Sequence, residues 1–272
     1  MPMTQAIPVP MPLAQPIPAA MLKNRHTSLA PKPGPSLEAM MHSSFLLLGD
    51  GHIGYFTRAM QIAGFLGWQY QTCEVNGATA IGMRNPNCAV NAFGVYRSFL
   101  QDKSRQATVV LQLGEVDCGF VMWFRAQRYN ETVADQMRLS AAAYLGFLHE
   151  IRYMGFLDIV ITGATLPAIQ DGYDWGGTED WRSDVTATLA ERTKLTLDYN
   201  KALQGYAKEL GLRYLDVSGD LIDSTSKTVQ TRYLSADRND PHLDYTAVGT
   251  LWAEKFRALV ASNAARRRMP FS

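Results

Sequence analysis

The chain has 272 residues, 47% of them hydrophobic, and a formal net charge of +1 at neutral pH. Such a length suits one α/β domain with appendages and argues against a second full domain. Acidic and basic residues are interspersed and no apolar run approaches the roughly 20 residues that span a bilayer, so neither nucleic acid nor a membrane is an expected partner.

Nine of the thirteen prolines precede Ser36. Proline fixes φ and removes a backbone donor, so residues 1–41 are expected to form a flexible, proline-rich N-terminal tail, with partner docking as its functional reading. The opening "MPMTQAIPVPMPLAQPIPAA" lacks a basic region ahead of its apolar stretch and is unlike a signal peptide. Cys73, Cys88 and Cys118 are too few and too widely spaced for a disulfide framework or a paired-cysteine zinc site. They fit a reducing compartment, and the expected location is cytoplasmic.

The folded domain is expected over 42–265. Five apolar runs of strand length alternate there with longer helical patterns: "SFLLLG" (44–49), "YQTCEV" (70–75), "ATVVLQLG" (107–114), "LDIVITGA" (157–164) and "RYLDV" (213–217). That alternation predicts a parallel sheet with crossover helices on both faces. From Thr132 to Met154, apolar residues recur at three and four: Val133, Met137, Ala141, Tyr144, Leu148 and Ile151 make a core-facing stripe. A second long helix is predicted from about Trp181 to Leu210, stopped by Gly211, and a last one from Thr246 to about Ala265. Residues 266–272, beginning Arg266-Arg267-Arg268, read as a basic tail.

In an open parallel sheet the ligand crevice lies beyond the carboxyl ends of the strands, where strand order reverses. The segments there hold Asp50 and His52 after the first strand, Asn76 and Gly77 after the second, and Glu115 and Asp117 after the third. Adjacent strands sit about 4.8 Å apart, so these carboxylates would crowd one another and need a proton, a cation or a basic partner such as Arg125. The bland alternative is a helix cap or a loop-amide acceptor. His242, between Asp240 and Asp244, fits a general base oriented by a carboxylate, or else a surface histidine; His26, His42 and His149 carry little signal. Asn76, Gly77, Thr79 and Gly82 form a small-residue loop whose amides suit an oxyanion, or plain turn punctuation. "FVMWFRAQRY" and "GYDWGGTEDW" are rich in aromatics, and Trp123, Phe124, Tyr173 and Trp175 suit sugar faces, a lid or core.

Taken together, these positions resemble the SGNH (GDSL-like) hydrolase superfamily of esterases, lipases and carbohydrate deacetylases. "LLLGDGHIGYF" is similar to the Gly-Asp-Ser block, "VNGATAIG" to the block with an oxyanion glycine, "LQLGEVDC" to Gly-x-Asn-Asp, and "DRNDPHL" to Asp-x-x-His. The resemblance implies a flavodoxin-like three-layer α/β/α sandwich with a five-stranded parallel sheet. It also implies ester hydrolysis, with His242 as catalytic base and the amides of Gly51 and Gly77 as oxyanion donors. The departures lie at the chemistry: the nucleophilic serine maps to Gly51, the third-block asparagine to Val116, and the orienting aspartate to Asn239, for which Asp240 is the expected substitute.

The expected catalytic set is therefore His242, Asp240, Asp50 and Gly51, with His52, Asn76, Glu115, Asp117, Trp123 and Arg125 as substrate contacts and with no cofactor and no metal. An acylated carbohydrate or another small ester is the expected ligand. Three functions remain open: an ester hydrolase impaired at its nucleophile; a hydrolase in which His242 activates water or Asp50, Glu115 and Asp117 hold a metal; and a non-catalytic binding or assembly protein. Cys118 is a remote substitute nucleophile.

Overall fold

The structure is a computed structural model and describes residues 44–63, 69–85, 87, 89–173, 181–237, 240 and 242–268. The expected tail over 1–41 lies outside the described residues. Five strands alternate with the helices: β1 (Ser44–Gly49), α1 (Gly54–Ala63), β2 (Gln69–Glu74), α2 (Ala92–Gln101), β3 (Thr108–Gln112), α3 (Met122–Tyr129), α4 (Val133–Tyr153), β4 (Ile159–Thr162), α5 (Leu189–Glu209), β5 (Arg213–Leu215), α6 (Ser218–Leu221) and α7 (Tyr245–Arg268).

All five strands are parallel, in the order β2-β1-β3-β4-β5. The chain runs outward from β1 to β2 and then crosses to β3 on the other side of β1. The switch point therefore lies between β1 and β3, and a crevice opens beyond their carboxyl ends.

Successive side chains of a strand face opposite ways, and β1 uses both faces. Phe45 and Leu47 join Val110 and Val160 under α1 and α7, which contribute Tyr55, Phe56, Trp252 and Phe256. Leu46 and Leu48 join Val109, Leu111 and Ile161 under α2, α4 and α5, which contribute Tyr96, Tyr144, Phe147, Tyr199 and Leu203. Helices on both faces make this a three-layer α/β/α sandwich of the flavodoxin-like kind. The side chains of β1 beyond Ser44 and all those of β3 and β4 are buried. Each fully buried Leu or Phe there contributes about 1.5–3 kcal/mol. β2 is the exposed edge strand, which accounts for its polar composition.

The stripe on α4 is core-facing as its spacing predicts: Ala141, Tyr144, Leu148 and Ile151 are buried, with Val133 and Met137 partly so. Thr132 starts this helix through a capping box with Asp135. The helix predicted from Trp181 is shorter than expected. Thr188 forms a second capping box with Glu191, so α5 begins at Leu189, while Trp181–Asp184 is a separate short 3-10 turn. Its end is as predicted: Gly211 takes φ +64°, and its amide reaches back to the carbonyl of Lys208. The backbone of α7 stays helical through Arg268, past the boundary expected at residue 265. No helix among the described residues is long and apolar enough to cross a membrane.

Candidate active site

Two glycines bring the first and third strands to the crevice in the right direction. A Cβ at Gly49 would stand 2.6 Å from the carbonyl oxygen of Gln112, so only glycine lets β1 end this close to β3. Gly114 has φ +119°, a conformation that favours glycine, and Glu115, directly after it, lines the cleft.

Asp50 follows Gly49 and caps the short 3-10 turn Gly51–Ile53 that feeds α1. Its Oδ1 accepts both the backbone N–H of His52 and a hydrogen bond with His52 Nδ1, each at 2.9 Å. Its Oδ2 is buried without a hydrogen-bond partner among the described residues. His52 Nε2 points toward Glu115, whose Oε2 lies 3.8 Å away.

The late loop arrives from the far end of the chain and is pinned at three points. Leu243 pairs with Leu234 in an antiparallel bridge, and its N–H donates to the Tyr55 hydroxyl of α1 at 2.8 Å. Asp244 then caps α7 through the amides of Thr246 and Ala247. Within the loop Asp240 Oδ1 accepts from the backbone N–H of His242 at 2.9 Å and pairs with His242 Nδ1 at 2.8 Å. Asn239, to which the orienting aspartate maps, lies outside the described residues.

The far nitrogen of that imidazole faces the first turn. A Cβ built at Gly51 would lie 3.3 Å from His242 Nε2 and 3.1 Å from Asn76 Oδ1. The loop after β2 adds Gly77, at φ +73°, where an added Cβ would meet nothing within 4 Å. Asp50, Gly51, His52, Asn76, Gly77, Glu115 and His242 all line one cleft of about 700 Å³. Residues from four separate parts of the chain converge there, as the crevice rule requires.

Neither a family sequence model nor a curated protein matches the sequence. Solved structures do match in shape. The M. smegmatis aryl esterase is 12% identical with a TM-score of 0.52, covering 80% of this chain and 99% of its own. A protein of Agrobacterium tumefaciens assigned as an arylesterase is 13% identical with a TM-score of 0.51, covering 81% and 99%. A protein of Bacteroides fragilis assigned as an acylhydrolase is 12% identical with a TM-score of 0.50, covering 86% and 91%. At such identities the likeness is one of fold, and that fold is the SGNH/GDSL-like hydrolase fold.

On this SGNH/GDSL-like fold three of the expected substrate contacts lie away from the cleft. Asp117 is fully buried and accepts from the amides of Ala80 (2.7 Å) and Ile81 (3.0 Å) and from the Ser140 hydroxyl (2.8 Å). It ties the β2 loop to α4, so the loop-amide alternative holds for it. Trp123 donates its Nε1–H to the carbonyl of Cys118 and lines a separate surface hollow. Arg125 donates to Gln136 Oε1 and lies over the Tyr129 ring, so it does not neutralise the crevice carboxylates. Asp117 opens the π-helical turn Asp117–Val121, and Trp123 and Arg125 follow that turn on α3.

With both its oxygens committed, Asp117 is no ligand for a cation beside Asp50 and Glu115. No group of three or more His, Cys, Asp or Glu among the described residues is placed to hold a metal. Cys118 is buried, and burial followed by the neighbouring Asp117 pushes its thiol well above the ordinary range, which removes it as a nucleophile. Cys88 and Trp175 lie outside the described residues.

Sequence reasoning missed the far wall, formed by Phe120, Ile169, Trp181 and Arg182. Trp181 ends the aromatic-rich "GYDWGGTEDW", which was the available signal. Phe124 stands behind Trp181, ring centroids 5.2 Å apart, and Tyr173 lines an adjoining pocket.

Charge in the cleft is unevenly held. Burial by itself would lower the pKa of His52, but Glu115 and then Asp50 outweigh it and raise it to about 9. Glu115 is raised by burial, with the His52 charge opposing that shift. His52 is therefore an imidazolium at neutral pH, buried between two carboxyl groups.

Proposed function

We propose that the cleft binds a small acylated ligand, foremost an acylated carbohydrate, and that it hydrolyses the ester slowly by way of water rather than a serine. The observation that carries this reading is the 3.3 Å between His242 Nε2 and the position of a side chain that Gly51 lacks. An imidazole whose Nδ1 is held by Asp240 offers its other nitrogen as a base toward that space, where it would activate an entering water as the nucleophile. The covalent acyl-enzyme route is absent because nothing at position 51 can attack. Gly51 and Gly77 line the same cleft, and their amides are the proposed oxyanion donors, whereas Val116 leaves the third donor position apolar. Losing one such donor costs about 3–4 kcal/mol of transition-state stabilisation, which supports slow turnover.

A carbohydrate is supported by the wall. Phe120 and Trp181 present flat apolar rings beside Asn76, Glu115 and Arg182, a pairing that suits the face of a sugar and its hydroxyls. Binding without turnover is the second reading, and Gly51 itself favours it.

The test is an assay of the parent, Gly51→Ser and His242→Ala on p-nitrophenyl acetate and on acetylated sugars. The expected result is slow hydrolysis by the parent, loss in His242→Ala and a large gain in Gly51→Ser. Inert parent and Gly51→Ser proteins that still bind acetylated sugar saturably would select the binding reading. Activity abolished by a chelator would overturn both.

A further inference from the structure

The same three-residue unit occurs twice in the cleft. In Asp50-Gly51-His52 and in Asp240-Pro241-His242, the aspartate Oδ1 accepts the backbone N–H of the histidine two residues on and also pairs with its Nδ1. Each histidine is thereby held with Nδ1 occupied and Nε2 toward the cleft. The two rings stand 4.9 Å apart, and His242 Nε2 lies 3.3 Å from where a Cβ at Gly51 would stand. His52 Nε2 makes no hydrogen bond among the described residues, and the nearest carboxylate oxygen, Glu115 Oε2, is 3.8 Å away. A proton on that nitrogen is held by charge without being spent on a short bond.

We propose that His52 is a general acid that works opposite His242. The groups that face it come from every neighbouring element: Asp50 from its own turn, Glu115 from beyond β3, Asp240 and His242 from the late loop, and Tyr55 from α1. Arg192 of α5 acts in turn on Glu115. The carboxylates among these keep His52 cationic at about pH 7, and His242, whose Nε2 faces Gly51, takes the part of the base. Glu115 is a positioning residue, since it acts through the charge of His52.

The assignment rests on the hydrolysis proposed above, and its proton balance closes. The water oxygen bonds to the acyl carbon as His242 Nε2 takes one water proton. The intermediate then collapses, the bond from acyl carbon to leaving oxygen breaks, and that oxygen takes the proton from His52 Nε2. The proton on His242 returns to His52 across the gap between the rings. One ester and one water become one acid and one alcohol, and the two imidazoles end as they began.

The experiment compares the full-length parent, His52→Gln and His242→Ala on two acetates: p-nitrophenyl acetate, whose leaving group needs no proton, and a sugar O-acetate, whose alkoxide does. General acid catalysis contributes about 10²-fold or more. His52→Gln is therefore expected to lose about 10²-fold in kcat/KM on the sugar acetate and far less on the nitrophenyl ester, while His242→Ala loses on both. Imidazole NMR of the parent is expected to show His52 keeping its proton to about pH 9, and Glu115→Gln releasing it at lower pH.

Equal losses by His52→Gln on the two esters mark a structural role and overturn the inference. An active parent whose His52 loses its proton near the ordinary value of 6.5 overturns the inference alone. A parent inert on both esters, with His52 still protonated near pH 9, overturns the hydrolysis reading and removes the acid step with it.

Discussion

Gly51 and His242 face each other across the floor of the cleft, and a side chain begun at Gly51 would start 3.3 Å from the histidine's free nitrogen. That spacing is a few tenths of an ångström tighter than ordinary van der Waals contact, and Gly51 does not sit at positive φ. Gly51→Ser is therefore expected to fold, with a stability change within about 1 kcal/mol, and to gain at least about 10²-fold in esterase activity. Stopped-flow with p-nitrophenyl acetate should reveal an acyl-enzyme burst in the variant and none in the parent. A variant that folds and binds ligand yet stays at the parent rate would count against an aligned base.

Stability should fall as pH rises through the range set by His52. The folded state raises its pKa from 6.5 to about 9, so the contribution is complete below about pH 6.5 and is lost as pH climbs through about 9. Its size is about 3 kcal/mol at most. Urea midpoints measured between pH 6 and 10 should decline across this window in the parent and remain flatter in His52→Gln.

Asp117→Ala is expected to cost about 3–5 kcal/mol. It would leave the buried amides of Ala80 and Ile81 and the Ser140 hydroxyl without their shared acceptor. Equilibrium denaturation checks the magnitude. A cost under about 1 kcal/mol would show that the loop after β2 is anchored by other means.

Gly114→Ala should be destabilising by about 2–4 kcal/mol. Its φ of +119° is one that alanine rarely adopts, and the new methyl would lie 2.7 Å from a ring carbon of Tyr199 and 3.1 Å from the Ala164 Cβ. Thermal melts would register this, and ligand binding should weaken in parallel because Glu115 follows directly in the chain.

The strands were legible in the chain because burial on both faces demands long apolar runs, and β1, β3 and β4 have them. The helix over Val133–Tyr153 was legible because its stripe and its Thr132–Asp135 cap agree. The start of α5 was misjudged because Trp181, Val185 and Ala187 extend an apolar pattern up to Leu189, whereas the Thr188 capping box starts the helix only there. Asp117, Trp123 and Arg125 were misplaced for another reason. A sequence gives the order of residues after a strand but not the rotation of the turn they enter, and here that turn is π-helical.

Local chemistry, written in neighbouring residues, was determined by the sequence alone: the alternation of elements, the absence of a hydroxyl at Gly51, and an aspartate two residues before each of two histidines. Only the tertiary structure decided that His52 and His242 meet 4.9 Å apart and that Glu115 lies 3.8 Å from His52. These groups are separated by scores of residues, and their distances follow from strand order, from Gly49 and Gly114 at the sheet edge, and from Tyr55 anchoring Leu243. Electrostatic coupling depends on such through-space distances and on burial, and neither is a property of sequence neighbours.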